Sequence, residues 1–162
     1  TYIPFLIGER FGGSSFLIGI IFSVGSISTA ITSSQLGRIS RMFPEHQLLR
    51  IAYLIYAVSL SLIPLMPGVI WIIPPVILFG IAQGLNIPNL QTLLASYASM
   101  EQRAVIMSLN GMVLRLGQTL GPVIMGFMFG IAGLSATFIA GAVIALAMLI
   151  IAIILIRENP GK

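Results

Sequence analysis

Apolar runs of membrane-crossing length alternate with short polar segments along the chain. Five runs are long enough to matter: residues 16–36, 49–65, 69–97, 104–129 and 136–156. A helix of about 20 residues, rising about 1.5 Å per residue, covers a hydrocarbon layer of about 30 Å. Each run therefore predicts one transmembrane helix. Residues 1–7 (TYIPFLI) read as the end of a further helix, and the opening at Thr1 predicts the C-terminal part of a longer protein. Gly8 to Ser15 (GERFGGSS) predicts a turn-rich loop, and Gly130 to Ser135 a neutral one.

Polar residues are shared unevenly among the runs. The second and fifth contain almost no hydrogen-bonding side chains beyond Ser and Tyr, which predicts lipid-facing helices. The first, third and fourth hold the Ser, Thr, Asn, Gln and Arg residues and are expected to line a shared polar interior, since buried polar groups need partners or water. In the first run Gly19, Ser23, Ser26, Ala30, Ser33 and Gly37 recur at three- and four-residue steps, a small-residue face for close packing. In the third, Gln83, Asn86 and Asn89 span a sector of about 120° at ~100° per residue. Their amides serve either as glue between helices or as substrate contacts. Pro74, Pro75 and Pro88 are expected to break or bend that helix.

The fourth run carries the most telling residue. Arg115 lies 12 residues beyond Arg103, about 18 Å along a helix, and shares a face with Ser108, Gly111, Thr119 and Pro122. An arginine at that depth is costly and marks function or a buried pairing. One reading makes it a structural ion pair or a cap on the carbonyls of a broken helix. The other has it face an aqueous cavity, toward an anionic substrate or a carboxylate from another segment. Gln118 and Thr119 follow it as further cavity candidates. Gly117, Gly121 and Gly126, with Pro122, read as a packing and bending element.

Composition places the chain in the membrane class. Of its 162 residues 57% are hydrophobic and 7% charged, against about 25% charged in a soluble domain. Six of the eight basic residues fall in alternate loops or ends: Arg38, Arg41 and Arg50; Arg103; Arg157 and Lys162. The positive-inside rule makes that side cytoplasmic, with the C-terminus on it. The net charge of +4 is thereby spent on topology and does not predict a nucleic-acid partner.

Catalytic chemistry lacks its residues. Cysteine and aspartate are absent, His46 is the only histidine, and none of the four glutamates lies inside an apolar run. No metal cluster, no serine–histidine–acid set and no GxxxxGK[ST] phosphate loop can be assembled. No cofactor and no enzymatic activity are predicted.

Three stretches taken together resemble the C-terminal half of a major facilitator superfamily transporter. They are Phe79-Gly80-Ile81-Ala82-Gln83-Gly84-Leu85-Asn86-Ile87-Pro88, Glu101-Gln102-Arg103, and Arg115-Leu116-Gly117-Gln118-Thr119-Leu120-Gly121-Pro122 with Gly126. The pattern looks most like bacterial drug-efflux proton antiporters. In the loop after the first run, Gly37 matches the family's cytoplasmic motif, Arg38 and Arg41 supply basic charge, and Arg41 stands where the motif has an aspartate. The resemblance implies an all-α membrane bundle in which the runs are helices eight to twelve of a twelve-helix fold. It implies alternating access in the plasma or inner membrane, a small-molecule substrate, protons as the coupling ion, and the N-terminal half as partner within the lipid bilayer. Any proton-carrying carboxylate is expected outside this chain's apolar runs. Uptake by symport or uniport, or a truncated fragment that does not transport, stays open.

Overall fold

The computed structural model describes residues 3–11 and 14–155. The expected charged tail, Arg157 to Lys162, and the first two residues of the expected helix end at 1–7 lie outside the described residues. The described chain forms five α-helices: α1 (Ile3–Phe11), α2 (Ser15–Ile39), α3 (Glu45–Leu62), α4 (Ile73–Tyr97) and α5 (Arg103–Leu155). Short 3-10 turns at Ile63–Leu65 and Ile70–Ile72 connect α3 to α4. No strand occurs among the described residues.

The boundaries differ from the expected ones at two places. Helix α1 runs on through Phe11, so the backbone of Glu9 and Arg10 is helical rather than looped. One glycine costs a helix only about 1 kcal/mol relative to alanine, and Gly8 does not stop it. The expected loop at 130–135 is also helical, except at Gly133 (φ 77°, ψ −177°). Only glycine adopts that region routinely, so the whole break between two arms of α5 is concentrated in one residue. A 53-residue helix without the break would be about 80 Å long, far more than a bilayer needs.

Helix α4 is the centre of the bundle. It packs along α2 on one side and α3 on the other, while α2 and α3 barely meet. The second arm of α5 packs on α3: Leu49 clusters with Ala152, and Gly141 sits against the end of Leu60. Those contacts run in opposite order along the two chains, so the arm is antiparallel to α3. The first arm, 103–132, is exposed along most of its length, with Val113 at 65% and Phe127 at 73%. The expectation that the second and fifth runs face only lipid is therefore half right. Each has a lipid-like outer face, but their inner faces form the α3–α5 core.

Close approach sets the α2–α4 contact. A Cβ on Gly80 would lie 2.5 Å from the Gly25 carbonyl oxygen, and one on Gly84 would lie 2.7 Å from that of Thr29. This is the small-xxx-small packing of membrane helices. The α2 face involved carries Gly25, Ser28, Thr29, Thr32 and Ser33. The predicted face is rotated from it by roughly a third of a turn at ~100° per residue. Gly19, Ser23, Ser26, Ala30 and Gly37 are exposed, and only Ser33 belongs to both.

Candidate functional site

The prolines of α4 decide where its backbone needs help. Pro74 and Pro75 occupy the first turn, where a missing N–H leaves no bond unmade. They start the helix and do not break it, contrary to expectation. Pro88 lies inside the helix, which continues to Tyr97. Its absent N–H would have bonded the Gly84 carbonyl. The Ser33 hydroxyl donates to that carbonyl instead, at 3.2 Å. About one turn away, Thr29 Oγ1 shares its proton between the Gly80 carbonyl at 3.1 Å and the Gly25 carbonyl of its own helix at 3.0 Å. From the other side, buried Ser59 donates to the Pro75 carbonyl at 2.6 Å. Asn89, also buried, donates its amide to the Glu45 carbonyl at the start of α3, at 2.7 Å. Helix α4 is thus held between its neighbours by side-chain-to-backbone bonds.

A cavity of about 360 Å³ opens where α2, α4 and the α5 break converge. That is within the usual range for a small-molecule site, about 300–1,000 Å³. Aromatic and aliphatic walls dominate: Phe22 from α2, Phe79 and Val76 from α4, Met125 and Phe138 from α5. Three polar side chains interrupt them, Ser26, Gln83 and Thr137. No charged side chain of the described residues lines it. Thr137 donates to the Gly133 carbonyl at 3.0 Å and keeps its lone pairs for accepting. Gln83 makes no hydrogen bond among the described residues, so both ends of its amide are available. An apolar chamber with a few hydrogen-bonding points suits an uncharged or weakly polar amphipathic molecule.

The expected amide sector on α4 divides between two neighbours. Gln83 enters the cavity. Asn86 turns toward α3, where it interacts with Tyr56, and its Oδ1 is buried without a hydrogen bond. Asn89 binds the α3 backbone. The reason is geometric: α4 lies between α2 and α3, and a 120° sector reaches across the boundary between them. Tyr56 also meets the Phe79 ring edge-on, with centroids 5.0 Å apart, which ties the asparagine side to the cavity wall.

The residues of the fourth run are elsewhere. Arg115, Gln118 and Thr119 lie on the exposed first arm of α5, and Thr119 donates to the Arg115 carbonyl at 3.0 Å. Arg115 makes no ion pair among the described residues. Gly117 and Gly121 would meet nothing within 4 Å if given a Cβ, and Gly126 is half-buried. Pro122 is accommodated without ending the helix. From this arm Met125 alone lines the cavity. In the α2–α3 loop region Gly37, Arg38 and Arg41 are exposed, with no neighbour near Gly37.

Sequence reasoning missed Ser26 and Thr137 as cavity residues and Gly80 with Gly84 as the packing pair. Thr137 carried a usable signal as a lone hydroxyl at the start of an aliphatic run. Gly80 and Gly84 stand four apart on the helix that also holds the amides, the same spacing that drew attention to Gly117 and Gly121.

The family model of the Major Facilitator Superfamily matches residues 1–162, the full length of the chain. No curated protein matches the sequence.

Proposed function

The chain belongs to the major facilitator superfamily, a family of membrane transporters, and on that premise we propose that it serves proton-coupled efflux of a small amphipathic molecule by alternating access. The observation that carries the substrate class is the uncharged cavity with Gln83, Ser26 and Thr137 set in apolar walls. The five spans form one of the two bundles that rock about a midplane site. The first arm of α5 faces the other bundle. Its apolar surface would tolerate lipid, but Arg115 and Gln118 would not, so protein or water must lie against them. Gly117 and Gly121 then provide the close approach for that partner.

Orientation follows from the arginines. Arg38, Arg41 and Arg103 gather at the end of the bundle where α2 and α4 finish and α3 and α5 begin. That end is cytoplasmic by the positive-inside rule, and the antiparallel second arm of α5 returns to it. The proton-carrying carboxylate is expected outside these apolar spans, in the partner bundle or elsewhere on the first helix of this one, because arginine stays protonated and cannot carry the proton.

The test is dye movement in everted membrane vesicles under an imposed pH gradient. Efflux by antiport predicts accumulation of an amphipathic dye that collapses when a protonophore is added. Accumulation in right-side-out vesicles only would convert the reading to uptake. Arg115→Ala lowers the rate more than Arg38→Ala at equal expression; equal rates would remove Arg115 from the transport path.

A further inference from the structure

A second depression lies at the arginine-rich end, away from the cavity. Because α2 and α3 both pack on α4 and hardly touch each other, a groove of about 290 Å³ is left between them. Ile81 and Leu85 of α4 form its floor. Ile31 and Ile39 wall it from α2, and Leu48 and Ile51 from α3. Phe43 of the connecting loop closes its end. Thr32 and Gln35 are its only polar lining. Ile31, Phe43 and Ile51 are between 37% and 53% exposed, so the groove is open at the side. Just beyond its end stand the exposed Arg38, in the last turn of α2, and the exposed Arg41, in the loop.

We infer that this groove holds one acyl chain of an anionic phospholipid whose phosphate rests on Arg38 and Arg41. Three features favour this occupant. The groove is apolar and slender, as an acyl chain requires. Beside the end that Phe43 closes stand two positive charges at the depth where a headgroup lies, within reach of a chain entering from the open side, since both arginines flank the end of a membrane-length helix. Basic pockets between transmembrane helices on the cytoplasmic side are the setting in which anionic headgroups bind. A zwitterionic lipid would fill the groove equally well but would gain little from the arginines. The only acid of the connecting segment is Glu45, in the first turn of α3, and it forms no ion pair with either arginine. The site does not depend on the transport reading, and its failure would leave that reading untouched.

The experiment is native mass spectrometry of the protein released from vesicles of equal parts dioleoyl phosphatidylglycerol and dioleoyl phosphatidylcholine. The wild type is expected to retain phosphatidylglycerol over phosphatidylcholine. Each arginine near an anionic headgroup contributes about fivefold, so Arg38→Gln lowers the preference about fivefold and Arg38→Gln/Arg41→Gln about 25-fold. Arg38→Lys/Arg41→Lys keeps most of it. Ile81→Trp fills the floor and leaves both arginines in place; it is expected to abolish retention. Equal retention of the two lipids by the wild type overturns the site. So does an unchanged preference in Ile81→Trp, which would mean surface charge alone. Displacement of the lipid by the deacylated headgroup, glycerophosphoglycerol, at equal concentration would show an anion site without an acyl chain and would also overturn it.

Discussion

Gly80→Ala is the most direct test of the bundle's construction. The added Cβ would sit 2.5 Å from the Gly25 oxygen and 2.8 Å from Ser28 Cβ, and neither can swing away. Ordinary contact begins near 3.4 Å, so α2 and α4 must part by about 0.9 Å. That separation stretches the Thr29–Gly80 bond from 3.1 Å and the Ser33–Gly84 bond from 3.2 Å to about 4 Å, beyond hydrogen bonding. Interhelical hydrogen bonds in membranes contribute about 0.6 kcal/mol each, and overpacking costs about 1–3 kcal/mol. Alanine's better helix propensity returns about 1 kcal/mol. The net expectation is a loss of about 1–3 kcal/mol. Gly84→Ala clashes with the Thr29 oxygen and Thr32 Cβ of the same helix, and one separation relieves both glycines. The double variant should therefore cost less than the sum of the singles. Gly19 is the control: it lies on the predicted small-residue face but has nothing within 4 Å. Gly19→Ala should be neutral, or stabilising by up to about 1 kcal/mol. The assay is unfolding in mixed micelles by added dodecyl sulfate, followed by circular dichroism. If Gly19→Ala destabilises as much as Gly80→Ala, the face of α2 that packs on α4 is not the one with Gly25 and Thr29.

Three further outcomes are expected. Ser33→Ala should cost about 1 kcal/mol alone and clearly less in a Pro88→Ala background, where residue 88 regains an N–H for the Gly84 carbonyl; a double-mutant cycle in the same unfolding assay measures the difference, and strict additivity would refute the link. Gly133→Ala should destabilise by about 1–3 kcal/mol because φ 77° with ψ −177° is closed to a residue with a Cβ, whereas Gly130→Ala, at a helical position with open space, should not. Gln83→Ala should lower dye transport at unchanged stability, while Asn89→Ala should lower stability by about 1–3 kcal/mol through the lost bond to the Glu45 carbonyl and the void left by its buried side chain; the reverse assignment in paired transport and unfolding measurements would exchange their roles.

The helices themselves were legible because long apolar runs between short polar segments predict them. The refinements were not, because each depends on a neighbour. Which face of α2 is buried is set by Gly80 and Gly84 on another helix, and no periodicity within α2 distinguishes Gly25–Thr29–Thr32 from Gly19–Ser23–Ser26. The division of Gln83 from Asn86 and Asn89 depends on α4 lying between two partners. The end of α1 was misread because glycine was given more stopping power than a single residue has. The α5 break was misread because the composition of 130–135 looks like a loop, while one residue with positive φ was sufficient to make the turn.

Hydrogen-bond satisfaction sorts the polar residues in a way their positions alone do not. In a membrane helix a hydroxyl can return its proton to a carbonyl one turn back, and Ser23, Ser28, Thr32, Thr119 and Thr137 all do so. Thr29, Ser33 and Ser59 reach the backbone of a neighbouring helix. A hydroxyl in these spans is thus a weak sign of a site, because its needs can be met at home. Amides and guanidinium groups cannot close that short ring with the same ease, and each must find a partner across an interface or keep its capacity open. Asn89 finds one in Glu45. Gln83, Gln118 and Arg115 find none among the described residues, although they lie on two different helices. What remains unsatisfied within a bundle is what it can offer to a substrate or to a second bundle. Gln83 lines the cavity with its amide unbonded, and Arg115 with Gln118 lies on the exposed first arm of α5.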